Sequence, residues 1–299
     1  MRPRPGSKTR AQVLVVSDGR LAPHPDQVAT EEPMEIRVAA GPGGDAGRRT
    51  VAVTMRTPGA DFELAAGFLF SEGLLRSRDE IRRISYCTDP AVGPDQRYNV
   101  VTVELAGTAL PDLAPLERHF FTSSACGVCG KAGIEALRVR GCRPVASGPA
   151  VEARVLAGLP ETLRAAQRGF RATGGLHAAA LFDAKGTLVM AKEDVGRHNA
   201  MDKLVGWALL EGRVPLDDHL VLVSGRASFE LVQKSLAAGI PVFCAVSAPT
   251  SLAVGLARDF GMTLVGFLRG SRFNVYAGVE RVVAGVPRTV APARRAGSG

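Results

Sequence analysis

The second half of the chain alternates short apolar segments with amphipathic segments of helical length, and this alternation restricts the fold most. Five strands are predicted, over residues 177–182, 187–191, 219–223, 241–246 and 262–267, and three helices, over 199–210, 228–238 and 251–260. Strands that alternate with helices connect through right-handed crossovers into a largely parallel sheet that helices cover. Near-continuous apolar strands such as 243–246 suit burial on both faces. The second half is therefore predicted to be an α/β domain.

The first half has a different pattern, typical of a smaller β-rich α+β unit. Residues 35–38, 51–55 and 99–105 have strand character. A helix is predicted to begin at Asp61, because the apolar residues after it recur at helical spacing. Its apolar stripe consists of Phe62, Leu64, Ala65, Phe68 and Leu69.

The net charge of +8 is concentrated at the two ends of the chain, which are expected to be disordered tails. Residues 1–10 and 286–299 supply seven of these charges, whereas residues 11–285 hold 30 basic and 29 acidic residues. A nucleic-acid-binding surface is therefore not predicted. The expected organisation is a basic tail over 1–25, the α+β domain over 26–120, the α/β domain over 121–285 and a second tail over 286–299.

Nothing in the sequence indicates a membrane protein. No apolar run reaches the roughly 18 residues that a membrane-spanning helix needs, and the apolar stretch 13–16 is too short for a signal-peptide core. We therefore expect a cytoplasmic protein. Five cysteines are too few and too scattered for a disulfide scaffold, and in a reducing compartment a close pair indicates metal binding or catalysis.

Such a pair is present in the segment Cys126-Gly127-Val128-Cys129-Gly130-Lys131. A helical pattern follows it immediately, and a helix start together with a lysine favours the thiolate, which is the nucleophilic form of cysteine. A structural zinc site would need two further ligands, and Cys87, Cys142 and Cys244 are isolated in the sequence, so no metal is predicted. A thioredoxin-type pair is expected after the first strand of a βαβ unit, whereas this pair precedes the α/β region.

A zinc deaminase is also excluded by the order of the motifs. That chemistry uses H-x-E followed by P-C-x-x-C. Here Ala179 occupies the glutamate position after His177, and the cysteine pair comes before the histidine instead of after it.

Four polar segments follow the predicted strands, at 193–203, 224–230, 247–251 and 267–272. The carboxyl ends of parallel strands meet at one edge of a sheet, where ligands bind. Arginine grips phosphate with two hydrogen bonds, so Arg226, Arg269 and Arg272 indicate a phosphorylated or nucleotide-like ligand. The alternative is that these residues bind no ligand, the arginines being solvated side chains and the other polar residues helix caps. That interpretation explains poorly why four such loops meet at one edge. No Walker sequence is present.

With these motifs, the chain resembles the FdhD family, the sulfurtransferase accessory proteins of formate dehydrogenase. The resemblance runs from about Glu32 to Tyr276. It rests on C-G-V-C-G, G-R-H-N-A-x-D-K, S-G-R-x-S-x-E and G-F-x-R-G-x-x-x-N-V-Y, which occur in that order.

The resemblance implies a specific activity. A family member accepts persulfide sulfur from a cysteine desulfurase and transfers it to the molybdenum cofactor, bis-molybdopterin guanine dinucleotide, before the cofactor enters formate dehydrogenase. Cys126 would carry the persulfide and Cys129 would hold or resolve it. The resemblance further implies a homodimer and a three-layer α/β C-terminal domain similar to cytidine deaminases. The implied cofactor-binding residues are Phe267, Leu268, Arg269, Gly270, Ser271 and Arg272, to which we add Arg226.

Two other functions remain open on the sequence. One is a non-catalytic chaperone that binds the dinucleotide cofactor, and the other is a thiol–disulfide oxidoreductase. The sequence assigns no role to His177, His198 or Glu230.

Overall fold

The computed structural model describes residues 5–41, 47–87, 93, 96–113, 144–145 and 147–284. The strands are β1 (Lys8–Ser17), β2 (Arg20–Ala29), β3 (Glu32–Ala39), β4 (Arg49–Arg56), β5 (Ile81–Tyr86), β6 (Val100–Leu105), β7 (Val151–Glu152), β8 (His177–Phe182), β9 (Leu188–Asp194), β10 (Leu220–Val223), β11 (Val242–Ala245), β12 (Thr263–Arg269), β13 (Arg272–Ala277) and β14 (Val282–Val283). The α-helices are α1 (Asp61–Ser71), α2 (Ala153–Ala166), α3 (Arg168–Thr173), α4 (Arg197–Leu210), α5 (Phe229–Ala237) and α6 (Ser251–Asp259).

The second half forms a six-stranded sheet in the order β13-β12-β11-β10-β8-β9, which confirms the α/β prediction. Strands β10, β11 and β12 are parallel, whereas β8 and β13 pair antiparallel with their neighbours. The prediction of a largely parallel sheet is therefore wrong. Short turns join β8 to β9 and β12 to β13, and strands joined by short turns can pair only as hairpins. The carboxyl ends of β9, β10, β11 and β12 nevertheless share one edge.

Helices cover both faces of this sheet. On one face, α2 packs its buried leucines Leu156, Leu159 and Leu163 against residues such as Leu222 and Cys244. On the other face, α4, α5 and α6 contribute to a larger cluster of buried residues. Burial on both faces explains the near-continuous apolar strands.

The first half forms a four-stranded sheet in the order β4-β3-β6-β5, with α1 packed on it. Helix α1 also packs against α4, and Gly67 and Gly206 lie at the point of closest approach. A β-carbon on Gly67 would come within 1.9 Å of the Asp202 carbonyl oxygen, so only glycine fits there. Buried residues of both halves, such as Ile36 and Leu204, therefore belong to one hydrophobic cluster.

The N-terminal segment differs from the predicted tail. Residues 8–29 form the hairpin β1–β2, so the prediction of disorder over 1–25 is wrong for residues 8–25. Asp18 and Gly19 occupy the turn with φ of 51° and 74°, the left-handed conformation that two-residue hairpin turns require. The overlooked signal is an Asp-Gly dipeptide between two segments able to pair.

Helices α2 and α3 were also absent from the predictions. Pro160 lies inside α2, and an internal proline argues against a helix in a sequence. Among the residues that the structure describes, no helix is both long and apolar enough to cross a membrane.

Candidate functional site

The loops that follow β10 and β11 and the last part of β12 are joined to one another at the shared sheet edge, as the sequence predicts. Ser247 donates its backbone N–H to the Gly225 carbonyl (3.2 Å), and Phe267 donates to the Ser247 carbonyl (3.1 Å). Ala227 also donates to the Ala248 carbonyl (3.2 Å). These bonds continue the sheet ladder into the loops and fix their relative positions.

A pocket of about 360 Å³ opens at this edge, beside the β12–β13 hairpin. Phe267, Arg269, Arg272 and Asn274 line it. Arg269 and Arg272 pair across the hairpin, which places both guanidinium-bearing side chains on the same side of the two strands. Arg269 Nε also donates to the Val246 carbonyl (3.2 Å), which holds this side chain against the neighbouring loop. The pocket therefore presents two cations and one aromatic ring.

Phe267 has an unusual backbone conformation, with φ of 52°. The pairing of β12 with β13 is irregular between Gly266 and Arg269, so the bulge turns Phe267 outward, where it is 42% exposed. Leu268, the next residue, is fully buried. A left-handed conformation is costly for a β-carbon-bearing residue, and such strain tends to occur at functional sites. The bulge thus presents an aromatic face next to two arginines.

The structure brings together only some of the predicted cofactor-binding residues. Phe267, Arg269 and Arg272 line the pocket, and Gly270 and Ser271 form the hairpin turn between the two arginines. The side chain of Leu268 instead packs in the core.

Other site residues lie outside this group. Arg226 is exposed in the loop after β10 and does not line the pocket. Asn274 was not among the candidate binding residues, although it belongs to the N-V-Y end of the last motif. Cys126 and Cys129 lie outside the described residues.

A second group of polar residues lies further along the same edge, around the start of α4. A β-carbon placed on Gly225 would lie 3.6 Å from His177 Nδ1 and 3.9 Å from Arg197 Cδ. Burial lowers the pKa of His177, and the nearby charges of Arg197 and His198 lower it further. Arg197 and His177 are thus close neighbours in an electropositive environment.

His198 has an acidic partner in this group. Its Nε2 lies 3.8 Å from Glu230 Oε2 and 3.5 Å from Ser228 Oγ. The pairing with His198 lowers the pKa of Glu230 to about 2, although burial acts in the opposite direction.

The G-R-H-N-A-x-D-K segment is largely a structural connection between the two halves. Asp194 accepts hydrogen bonds from the backbone N–H groups of Gly196 (2.8 Å) and Thr57 (3.1 Å) and pairs with Lys203 Nζ (2.6 Å). Asn199 donates to the Met55 carbonyl (2.7 Å). These contacts fix the start of α4 against strand β4 and the residues after it.

Asp202, in the same segment, is also buried and paired. Its Oδ1 lies 2.7 Å from Lys234 Nζ and accepts a hydrogen bond from Ser71 Oγ (3.0 Å). Removing one partner from a buried pair leaves an uncompensated charge, so the loss of either Asp202 or Lys234 would destabilise the fold.

The cysteines within the described residues are not suited to sulfur chemistry. Cys87 and Cys244 are both buried and free. Burial raises the pKa of Cys244 to about 12, so its thiol stays protonated at neutral pH.

Comparison with known proteins gives consistent matches over nearly the whole chain. The family model described as the FdhD/NarQ family matches residues 29–283. A Streptomyces avermitilis protein named "Sulfur carrier protein FdhD" is 54% identical over 276 residues, covering 91% of this chain and 95% of its own length. A protein of the same name from Sulfurisphaera tokodaii is 43% identical, covering 92% of this chain and 98% of its own.

A solved structure agrees with these matches. It is assigned as a formate dehydrogenase accessory protein from Desulfotalea psychrophila, and it is 25% identical to this chain with a TM-score of 0.70. The match covers 94% of this chain and all of the other. The chain therefore belongs to the FdhD/NarQ family.

Proposed function

We propose that the chain is a sulfurtransferase that carries sulfur as a cysteine persulfide from a cysteine desulfurase to the molybdenum cofactor of formate dehydrogenase. The observation that carries the proposal is the pocket of Phe267, Arg269, Arg272 and Asn274, since it combines an aromatic face with two cations at a ligand-binding sheet edge. The names of the relatives and the accessory-protein assignment of the solved structure support it.

The ligand of this pocket is proposed to be bis-molybdopterin guanine dinucleotide, bound as a substrate. An exposed ring such as that of Phe267 can stack on guanine, because each base offers a π-face. Arg269 and Arg272 suit the phosphates, since guanidinium groups bind phosphate oxygens with paired hydrogen bonds. The residues present therefore fit the guanine nucleotide ends of the cofactor.

Sulfur loading is proposed to occur on Cys126. Its thiolate attacks the outer sulfur of a desulfurase persulfide, so a new S–S bond forms on Cys126 while the S–S bond of the desulfurase breaks. The desulfurase cysteine leaves as a thiolate with the electron pair of the broken bond.

Release of the sulfur is proposed to involve Cys129. The Cys129 thiolate attacks Sγ of Cys126, forms a disulfide and expels the outer sulfur as sulfide, which carries the electron pair to the cofactor. A dithiol reductant then restores both cysteines.

The decisive experiment is a persulfide transfer assay. Incubation with a cysteine desulfurase and cysteine should add the mass of one sulfur atom to the wild-type chain, and Cys126→Ala should abolish the gain while Cys142→Ala retains it. Undiminished labelling of Cys126→Ala would refute the assignment. A Cys126→Ala variant that still supports formate dehydrogenase maturation would favour the chaperone instead. A reversible Cys126–Cys129 disulfide that turns over generic disulfides would favour an oxidoreductase.

The pocket has a separate test. Arg269→Ala combined with Arg272→Ala should weaken the binding of guanosine diphosphate, while sulfur loading on Cys126 persists. Equal affinity of the double variant would make these arginines ordinary solvated side chains.

The partners and the compartment complete the proposal. The chain would act in the cytoplasm as a homodimer, with a cysteine desulfurase and formate dehydrogenase as its protein partners. Light scattering on the purified protein tests the dimer, and a monomer mass would refute that part.

A further inference from the structure

Arg197 has no counter-ion among the residues that the structure describes, although two carboxylates near it are engaged in ion pairs. Its Nε is buried and has no hydrogen-bond partner among the described residues. Ion pairs engage the acidic groups nearby: Asp194 with Lys203 (2.6 Å) and Glu230 with His198 (3.8 Å). A buried donor without an acceptor is rare in folded proteins and calls for a missing partner. That partner must be an acceptor, and an anion would also balance the charge.

Gly225 lies beside both His177 and Arg197. A β-carbon on Gly225 would be 3.6 Å from His177 Nδ1 and 3.9 Å from Arg197 Cδ. Neither distance is a clash, and the φ of Gly225 lies outside the left-handed region, so glycine is not required by the backbone. Glycine therefore leaves the volume of a side chain unfilled next to these two residues.

We propose that His177, Arg197 and Gly225 form a second anion-binding subsite, which takes a diphosphate group. Arg197 supplies a positive charge and several N–H donors, and His177 supplies a ring nitrogen beside Gly225. The start of α4 adds the positive end of a helix whose first turn holds no acidic residue.

The position of the subsite suits a long ligand. His177 begins β8, and β8 lies three strand positions from β12, which carries Phe267 and Arg269. Three strand spacings amount to about 14 Å. The inference extends the proposed function, because one elongated cofactor with two guanine dinucleotide arms could place a diphosphate in each location.

Inorganic pyrophosphate is the probe for this subsite. The wild-type protein is titrated with it while the ring signals of its five histidines are followed by NMR, with His177 assigned from a His177→Gln variant. In the free protein, Arg197 and His198 lower the pKa of His177, and Asp194 raises it. A bound diphosphate should raise the pKa of His177, because its negative charge favours the imidazolium form.

Two variants and their controls decide the outcome. Arg197→Gln should weaken pyrophosphate binding at His177 about tenfold or more, whereas Arg213→Gln, which removes an exposed arginine at the other end of α4, should change it less than about twofold. Gly225→Ala should also weaken it, while Gly255→Ala, where a β-carbon meets nothing within 4 Å, should not.

The inference is overturned if saturating pyrophosphate leaves the His177 signals unchanged, or if the two arginine variants bind equally well. If Arg197→Gln does not fold, Gly225→Ala against Gly255→Ala decides alone. Sulfur loading of Cys126 and nucleotide binding by Arg269 and Arg272 involve none of these residues. Failure of the subsite would therefore leave the proposed function standing, and failure of the proposed function would not affect pyrophosphate binding.

Discussion

Phe267 combines backbone strain with an exposed ring, and the two properties can be separated by substitution. The residue has φ of 52°, a conformation that costs a residue with a β-carbon about 1 kcal/mol more than glycine. Phe267→Gly should therefore be more stable than Phe267→Ala by about 1 kcal/mol in urea unfolding. Both variants should bind guanosine diphosphate about tenfold more weakly than the wild type, because both lack the stacking ring. Unchanged nucleotide affinity in both variants would remove the ring from the proposed pocket.

Another single residue, Glu230, makes a pH-dependent contribution to the free energy of unfolding. Its pKa falls from the usual 4.5 to about 2 in the folded state, so its contribution to stability is present above pH 4.5 and is lost as the pH falls towards 2. The difference in unfolding free energy between wild type and Glu230→Gln should therefore shrink across this interval. The effect should be small, because the Glu230 side chain is 49% exposed. A difference that stays constant from pH 6 to pH 3 would contradict the pairing with His198.

At the scale of elements, the crossing of α1 and α4 depends on two glycines. A β-carbon on Gly206 would come within 1.8 Å of the Glu63 carbonyl oxygen, which is backbone and cannot move aside. Gly206→Ala should therefore lower the free energy of unfolding by about 2–3 kcal/mol or more. Gly255→Ala, in the open part of α6, should be neutral or stabilise by up to about 1 kcal/mol. Similar stabilities of the two variants in guanidinium unfolding would show that the helices can separate without cost.

The sequence predicts best those elements whose apolar residues mark the buried face. Strand β8 has the predicted bounds, and the last residues of α4 and α6 lie within one residue of the predicted ones, because both sheet faces are covered and the central strands are apolar. The hairpin β1–β2 is mostly exposed, so its sequence has no pattern of buried apolar residues. Only the Asp18-Gly19 turn indicates that a hairpin is present. Pro160 similarly obscures α2.

The candidate site was predictable in position but not in detail. Strand order places the polar loops at one edge, and this follows from topology alone. The motifs do not distinguish ligand contacts from buried connections: Asn199 and Lys203 lie within a family motif and hold the halves together, whereas Asn274 lines the pocket. Which side of a strand a residue occupies at a bulge, as for Leu268, depends on local backbone geometry that the sequence does not specify.

Over the whole molecule, stability is concentrated between the two sheets. One hydrophobic cluster extends from the first-half sheet through α1 and α4 to the six-stranded sheet, and buried pairs such as Lys203–Asp194 cross the same region. The β1–β2 hairpin lies outside this arrangement, with Leu14 65% and Val16 66% exposed. The bond from the Thr30 N–H to the Ser7 carbonyl (3.1 Å) only closes the open end of the hairpin, and β2 contacts the rest of the protein at the short helix α3. The hairpin should therefore open separately from the rest of the protein.

Gly19→Val tests this separation in the full chain. Gly19 has φ of 74°, which strongly disfavours a β-branched residue, and an isolated two-stranded hairpin is only marginally stable. The substitution should therefore open the hairpin and accelerate amide exchange over residues 8–29. The free energy of global unfolding should change by less than about 0.5 kcal/mol, because local opening and global unfolding are distinct equilibria. Nucleotide binding should also be unaffected. A loss of global stability comparable to that of Gly206→Ala would instead make the hairpin part of the cooperative core.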